Sequence, residues 1–399
     1  LAAVGLLHAQ PARALDVQHQ GLDRVAHPCN GAAGQGRLGL GQGLDLLARV
    51  PGLALAQIRR RGIQRYAKAV ARLAHGVQVG LEVAGQQAIG AALQRFYAVG
   101  LQALHDLGFR RVSYGVQDYN EAVQKAIHRI QPYEHVERAT QWAREIGYTS
   151  ISHDLVFGLP FQSLDDVLHT IQQTTRLMPD RLAFYSYAHV PWIKGNGQRG
   201  FKDADVPKDE MKRRCYEEGK KQLLAQGYHE IGMDHFALPS DGMHRAFQQG
   251  ALHRNFMGYT ASKTQLMIGL GLSSISDSWY SFAQNEKKLE DYYARLEQDE
   301  IPVYRGHVLS QEDLIIRRHI LNLMCSFEAS WENPAQSFPE LPQVLAQLQE
   351  MQQDGLLQLH DHGIRVTERG KPFVRNICMA FDLHLKRKMP ESRIFSMTI

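Results

Sequence analysis

Gln117, Asp118 and Asp154 are the side chains whose type and position point most directly to chemistry. Gln117 and Asp118 close the run 111–119 (RVSYGVQDY), and Asp154 lies within 151–160 (ISHDLVFGLP). Each run reads as a β-strand, with a helical stretch between them. Parallel α/β sheets carry their chemistry at the C-terminal ends of the strands, where Gln117, Asp118 and Asp154 would sit. An amide there can donate to and accept from a polar ligand; on spacing alone the plainer reading is a solvated loop pair. Asp154 is a carboxylate in mid-strand. It must find a partner or face a cavity, because an unpaired buried charge is expensive, so ligand contact and a structural ion pair are both open. Arg129 ends a helical stretch and could reach a carboxylate, or could simply complement the helix C-terminus.

Other constellations are weaker. His229-Glu230 and Asp234-His235 flank Ile231 and Met233. Paired His and carboxylate can bind metal, but strand alternation gives the same pattern. His253-Arg254-Asn255 could hold an anion, although a solvated loop is the simpler reading. There is no Walker loop, no GxGxxG after a strand, no GxSxG and no HExxH.

The elements expected to position these groups alternate helix and strand. A helix over 102–107 stops at Gly108, a strand covers 110–116, and Asn120 caps a helix running to about Arg129. A helix over 135–146 ends at Gly147 and a strand covers 148–157. Ser163 caps the next helix, with Asp165 and Asp166 in its first turn, and 181–190 is a strand. This is the βα pattern of a parallel sheet. A helix over 208–225, a strand over 229–236, a buried strand over 265–276 with close backbone approach at Gly269 and Gly271, and a helix over 284–298 follow. The expected domains are 1–100, an anomalous segment, 101–300, a partial barrel, and 301–399, a mainly helical unit. The last, with two helices, a hairpin at 356–367 and a final helix over 369–385, has the layout of a winged helix.

The chain has 399 residues, enough for two or three domains. Apolar content of 44% and charged content of 22% are those of a globular protein, and the net charge of +4 is too small to imply nucleic acid. Lys386, Arg387 and Lys388 follow the last helix rather than line a face, so nucleic-acid binding is not expected. Cys29, Cys215, Cys325 and Cys378 are far apart in sequence, which fits a reducing cytoplasm better than a disulfide framework. No apolar run reaches membrane-spanning length and no signal peptide is expected.

Residues 1–112 contain no Ser or Thr, and 1–100 contain one Lys, one Glu and no Met or Trp. Ordinary domains are rich in Ser. The expectation is that residues 1 to about 100 are out of frame or disordered. An Ala/Leu/Gln-rich helical domain is the alternative.

In order along the chain, RVSYGVQDYNEAVQKAIHR, DLVFGLP, PDRLAFYSYAH, GMDHFALP, ALHRNFMGYT and VRNICMAFD closely resemble oxygen-independent coproporphyrinogen III oxidase, a radical S-adenosylmethionine (SAM) family. The resemblance runs from about Ala103 to Ile399. It implies an α/β fold, an incomplete (β/α)6 radical-SAM-type barrel followed by the helical C-terminal domain. It implies two SAM molecules beside a [4Fe–4S] cluster. Gln117, Arg129, Asp154, Ala188 and Ile275 fall on SAM-contacting positions: the first three as polar contacts, Ala188 and Ile275 as backbone or apolar ones. The implied reaction is oxidative decarboxylation of two propionates of coproporphyrinogen III to vinyl groups, giving protoporphyrinogen IX in haem biosynthesis. An unidentified electron donor, a cytoplasmic location and a monomer go with it. Arg254 is a candidate for holding substrate carboxylates.

Three elements of the family pattern are missing: the GGGTP segment that lines SAM, the EVDP strand that carries a ribose-binding carboxylate, and the cluster loop. The CxxxCxxC loop that would hold the cluster through three thiolates is absent from the sequence. Catalysis by this chain is therefore expected to be impaired. The alternative is a non-catalytic remnant that binds SAM or a tetrapyrrole.

Overall fold

The structure, a computed structural model, describes residues 8–9, 98–190 and 201–387. Most of the segment 1–100, and Cys29 with it, lies outside the described residues.

Three parallel strands form the centre: β1 (Phe109–Gln117), β2 (Ser150–Phe157) and β3 (Arg181–Ser186). β2 lies between the other two. Arg111 pairs with Ser150, and Ser152 with Arg181. Helices Tyr133–Ile146 and Leu164–Arg176 make the crossovers. Their ends are written in local chemistry. Gly147 takes the left-handed conformation at φ 101° that stops the first, and Ser163 with Asp166 forms a capping box that starts the second.

Strand alternation then sorts the side chains. Val116, Leu155, Phe157, Leu182 and Phe184 point to the helices and pack with Val167, Ile171, Tyr216 and Leu223. Val112 and Ile151 pack with Leu101, Ala143 and Tyr148. Fully burying each large apolar side chain stabilises the fold by about 2 kcal/mol. His153 shares this helix-facing side. It is wholly buried, and its Nε2 lies 3.0 Å from Thr140 Oγ1.

After β3 the sheet stops being parallel. The expected strand 181–190 ends at Ser186. The single strand expected over 229–236 is instead two short ones, β4 (His229–Glu230) and β5 (His235–Ala237), antiparallel to each other. Gly232 turns the chain between them at φ 70°, and a Cβ there would overlap the Tyr259 ring. β5 then runs antiparallel to β3. The described sheet is therefore open, with the short strand His8–Ala9 antiparallel along β1.

Two further expectations are corrected. The stretch 265–276 is not a buried strand. Leu266, Leu270 and Leu272 are exposed, and only Ile275–Asp277 is strand. Asn285 explains this: its Nδ2 donates to the carbonyls of Gly269 and Gly271 and to Ser274 Oγ, so the loop carbonyls are satisfied without a ladder. The close approach at Gly269 is real, because a Cβ there would lie 2.8 Å from the Ile275 backbone, whereas Gly271 has open space and a left-handed φ of 97°. The helix expected over 284–298 is shorter, Leu289–Glu297, and is preceded by a strand, Ser281–Asn285. That strand pairs with both Ile275–Asp277 and Val303–Val308.

The C-terminal part begins with helix Gln311–Ser326, started by a Ser310/Asp313 capping box. Helix Leu341–Gln353 and hairpin Leu357–His360/Gly363–Val366 follow, and Glu328–Ser330 adds a third strand to the hairpin. The expected last helix is divided. A 3-10 turn, Glu368–Phe373, holds Pro372, and the helices Val374–Phe381 and Leu383–Arg387 come after it. Leu323, Val344, Leu348, Leu357, Val374, Ile377 and Phe381 form the core of this part. Tyr259 ties it to the sheet: its hydroxyl donates to Met324 O at 2.7 Å and accepts from the Met233 N–H at 2.9 Å.

Burial pushes His153 down to about 3, so the folded chain keeps it neutral. Unfolded, it takes a proton below its ordinary value of about 6.5. Its contribution to stability is complete above that value and is lost as pH falls from there toward 3. Urea unfolding across this range is expected to show a shallower acid loss in His153→Gln than in the parent; equal slopes would contradict it.

Candidate functional site

The sheet face away from the helices is polar. Register places Ser113 beside Ser152, Gly115 beside Asp154, and Asp154 beside Ala183, with Arg181 and Tyr185 on the same side by alternation. Ser113 Oγ donates to Asp154 Oδ1 at 2.8 Å. Burial pushes the Asp154 carboxyl up, while the Ser113 bond and the charges of Arg181 and Arg129 pull it back. No other hydrogen bond to the Asp154 carboxylate is present among the described residues, so Oδ2 remains available to a ligand.

Gln117 and Arg129 converge on the same face. The ladder between β1 and β2 slips between Gly115 and Gln117, a bulge at the strand end, and Gln117 takes a left-handed φ of 66°. Helix Glu121–Ala126 ends earlier than expected, and His128 at φ 54° turns the chain back. Arg129 therefore does not serve as a helix-end cation. Its Nη2 donates to Gly115 O at 2.7 Å. Gly115 is the reason both side chains fit. A Cβ there would lie 2.6 Å from Gln117 Nε2 and 2.8 Å from Arg129 Nη2. The Gln117 amide makes no hydrogen bond among the described residues, so it too can serve a ligand.

The polar face is closed at the N-terminal strand ends. Arg181 Nε donates to Ser150 Oγ at 3.1 Å, and Ser150 Oγ donates to Asp241 Oδ2 at 2.6 Å. Arg111 and Arg181 both reach Met243 Sδ, at 3.0 and 2.8 Å. Beside β3, Tyr185 Oη lies 3.3 Å from His235 Nε2. His235 Nδ1 donates to Met233 O at 2.8 Å, and burial pushes this imidazole down to about 4. Nε2 is thus bare and accepts from Tyr185. Arg254 stacks its guanidinium on the Tyr259 ring at 4.7 Å. Its buried Nη1 has no hydrogen-bond partner among the described residues.

The other nominated residues fall elsewhere. Asp118 is fully buried and accepts from the Asn120 N–H and Gln162 Nε2, both at 2.6 Å, so it shapes the turn after β1 rather than joining Asp154. Ala188 lies two residues past the C-terminal end of β3, at the same edge as Gln117. Ile275 belongs to the separate three-stranded sheet. Glu230 pairs with Lys220 at 2.6 Å and accepts from Tyr216 Oη, while His229 stacks near His244. The His/Glu and Asp/His pairs therefore do not converge on a metal. Ser113, Gly115 and Tyr185 were missed by sequence reasoning. Counting in twos back from Gln117 gives the first two, and counting from Ala183 gives the third.

Residues 93–174 match the Radical SAM superfamily and residues 309–373 match the HemN C-terminal domain. The oxygen-independent coproporphyrinogen III oxidase of Escherichia coli is 40% identical over 296 residues, which is 72% of this chain and 64% of that protein. The enzyme of the same name from Synechocystis is 38% identical over 306 residues, 74% of this chain and 65% of that one. A solved structure described as coproporphyrinogen III oxidase (HemN) from Escherichia coli, a radical SAM enzyme, superimposes with a TM-score of 0.67 at 38% identity, covering 72% of this chain and 67% of that one. This chain belongs to the oxygen-independent coproporphyrinogen III oxidase family. It spans about 65% of the length of these curated relatives.

Radical SAM families use SAM and a [4Fe–4S] cluster, and the two fit this structure differently. SAM carries a carboxylate, an ammonium and ribose hydroxyls. Arg129, Asp154 and Gln117 offer groups complementary to these on one face. The cluster needs three thiolates from one loop. Cys215 is buried in helix Asp209–Ala225, and Cys325 and Cys378 are buried in the C-terminal part. Burial pushes all three thiols up, Cys325 and Cys378 to about 12, which disfavours the thiolate. The described cysteines do not fit a cluster.

Gly115→Ala is expected to displace Gln117 and Arg129 and to weaken SAM binding by roughly tenfold or more, the scale of a lost charge-assisted hydrogen bond. Isothermal titration with SAM, alongside circular dichroism to show an intact fold, checks this.

Proposed function

We propose that residues 101–399 are the SAM- and tetrapyrrole-binding body of an oxygen-independent coproporphyrinogen III oxidase. On this reading 101–300 is the partial barrel and 301–399 the C-terminal helical domain. The observation that carries it is the trio Gln117, Arg129 and Asp154, gathered on a polar strand face with hydrogen-bonding capacity unspent.

The roles follow from charge and reach. Arg129 holds the SAM carboxylate. Asp154 and Gln117 take the amino group and ribose hydroxyls. Ala188 contributes a backbone contact and Ile275 an apolar one, with two SAM molecules sharing that face as in the family pattern. Arg254 is suited to a propionate, because a buried guanidinium nitrogen without a partner gains most from a carboxylate. Tyr185, hydrogen-bonded to His235, walls the same side and helps keep water out.

On this reading the family's decarboxylation is impaired in this chain, because CxxxCxxC is absent from its sequence and its described cysteines are buried apart. A cytoplasmic setting, a monomeric chain and an external electron donor belong to the same proposal. No helix among the described residues is long and apolar enough to cross a membrane.

Two measurements test this. Coproporphyrin III, a stable stand-in for the substrate, is expected to quench and shift on binding, and Arg254→Gln is expected to bind it roughly tenfold more weakly. Equal affinity would remove Arg254 from the substrate site. After anaerobic incubation with iron, sulfide, dithionite and SAM, no 5′-deoxyadenosine is expected; its formation would overturn the claim that the chain is catalytically incomplete.

A further inference from the structure

We propose that His307, Asp313 and His384 form a Zn²⁺ site that fastens the helix Leu383–Arg387 to the start of helix Gln311–Ser326. The three residues come from three elements: strand Val303–Val308, the first turn of helix Gln311–Ser326, and helix Leu383–Arg387. Their ligand atoms all lie within 4.8 Å of one another. His384 Nε2 is 2.7 Å from Asp313 Oδ1, and His307 Nε2 is 3.8 Å from Asp313 Oδ2. The two imidazoles stand nearly perpendicular, 85° apart, with centroids separated by 5.9 Å.

Tetrahedral zinc with bonds of about 2.0–2.2 Å places its ligand atoms about 3.3 Å apart. His384 Nε2 stands somewhat closer than that to Oδ1, and the ligand atoms as a set lie within 4.8 Å, a spread that rotation of the imidazoles can close. Both imidazoles are exposed and can rotate into place, whereas Asp313 is the fixed member. Asp313 is anchored as a metal-ligating carboxylate usually is, by hydrogen bonds on its other lone pairs. The Ser310 N–H and hydroxyl both donate to Oδ2 at 2.8 Å, which leaves Oδ1 for the metal.

The neighbouring carboxylate is not a competitor. Both oxygens of Glu312 accept from Arg387, at 2.6 and 3.0 Å, so a fourth position is left to water. Two imidazoles and one carboxylate suit zinc among common cellular cations, while Mg²⁺ and Ca²⁺ prefer oxygen alone. The same Arg387 also reaches Glu340. The metal would thus reinforce a junction that ion pairs already outline.

The test uses the full chain stripped with a chelator. Titration against a chromophoric zinc indicator is expected to show a site whose affinity falls at least roughly tenfold in His307→Ala and in His384→Ala. It should be unchanged in His360→Ala, which removes an exposed imidazole outside the cluster. Co²⁺ in place of zinc is expected to give visible ligand-field absorption that both cluster variants lose. Equal zinc affinity in the parent and the two cluster variants, or no binding by the parent, would show that the three residues are only an ion-paired helix cap and overturn the proposal. Both variants change exposed side chains, and unchanged circular dichroism separates loss of the site from loss of the fold.

Discussion

A carboxylate in the middle of a parallel sheet needs compensation, and Asp154 has only part of it from the protein. Ser113 on the neighbouring strand gives one hydrogen bond, and Arg129 and Arg181 give field rather than contact. A core position would demand full pairing. Asp154 instead lies on the face opposite the crossover helices, and the rest of the site is arranged around that fact. Gly115 clears the space beside it, the bulge before Gln117 turns an amide toward it, and the early end of helix Glu121–Ala126 lets Arg129 fold back. Each is a local departure from regular structure, and regular sheets depart in this way where a ligand must be reached.

The opposite face shows why the departures are tolerated. Val116, Leu155, Phe157, Leu182 and Phe184 fill the space under the crossover helices. One residue separates these two roles along each strand. His153 is buried and neutral against Thr140, while Asp154 next to it lies on the opposite, polar face. A one-residue slip in register would exchange them, burying the carboxylate and exposing the imidazole, so the apolar pattern holds the site in place.

Much of the parallel part was legible from sequence because its signals are local. Gly147, Ser163 and Asn120 mark helix ends by their own chemistry, and the structure uses each in that role. The strand termini near 117 and 157 follow from alternation. The stretches that were misread depend on distant partners. The turn at Gly232 is required by Tyr259, and the loop at 265–274 is held by Asn285. No window around either segment contains the partner that decides it. Asp118 was misleading for a related reason: its role is set by Gln162, which is 44 residues away. The family resemblance supplied Ala188 and Ile275, which spacing would not have nominated.

The central claim is that this chain still grips SAM through Asp154 and its neighbours although it has no thiolate loop. Equilibrium titration of the purified chain with SAM, without iron, tests it most directly. Saturable binding is expected, weakened by roughly tenfold or more in Asp154→Ala while the far-ultraviolet spectrum stays the same. Failure of the parent chain to bind SAM, or identical affinity in Asp154→Ala, would contradict it.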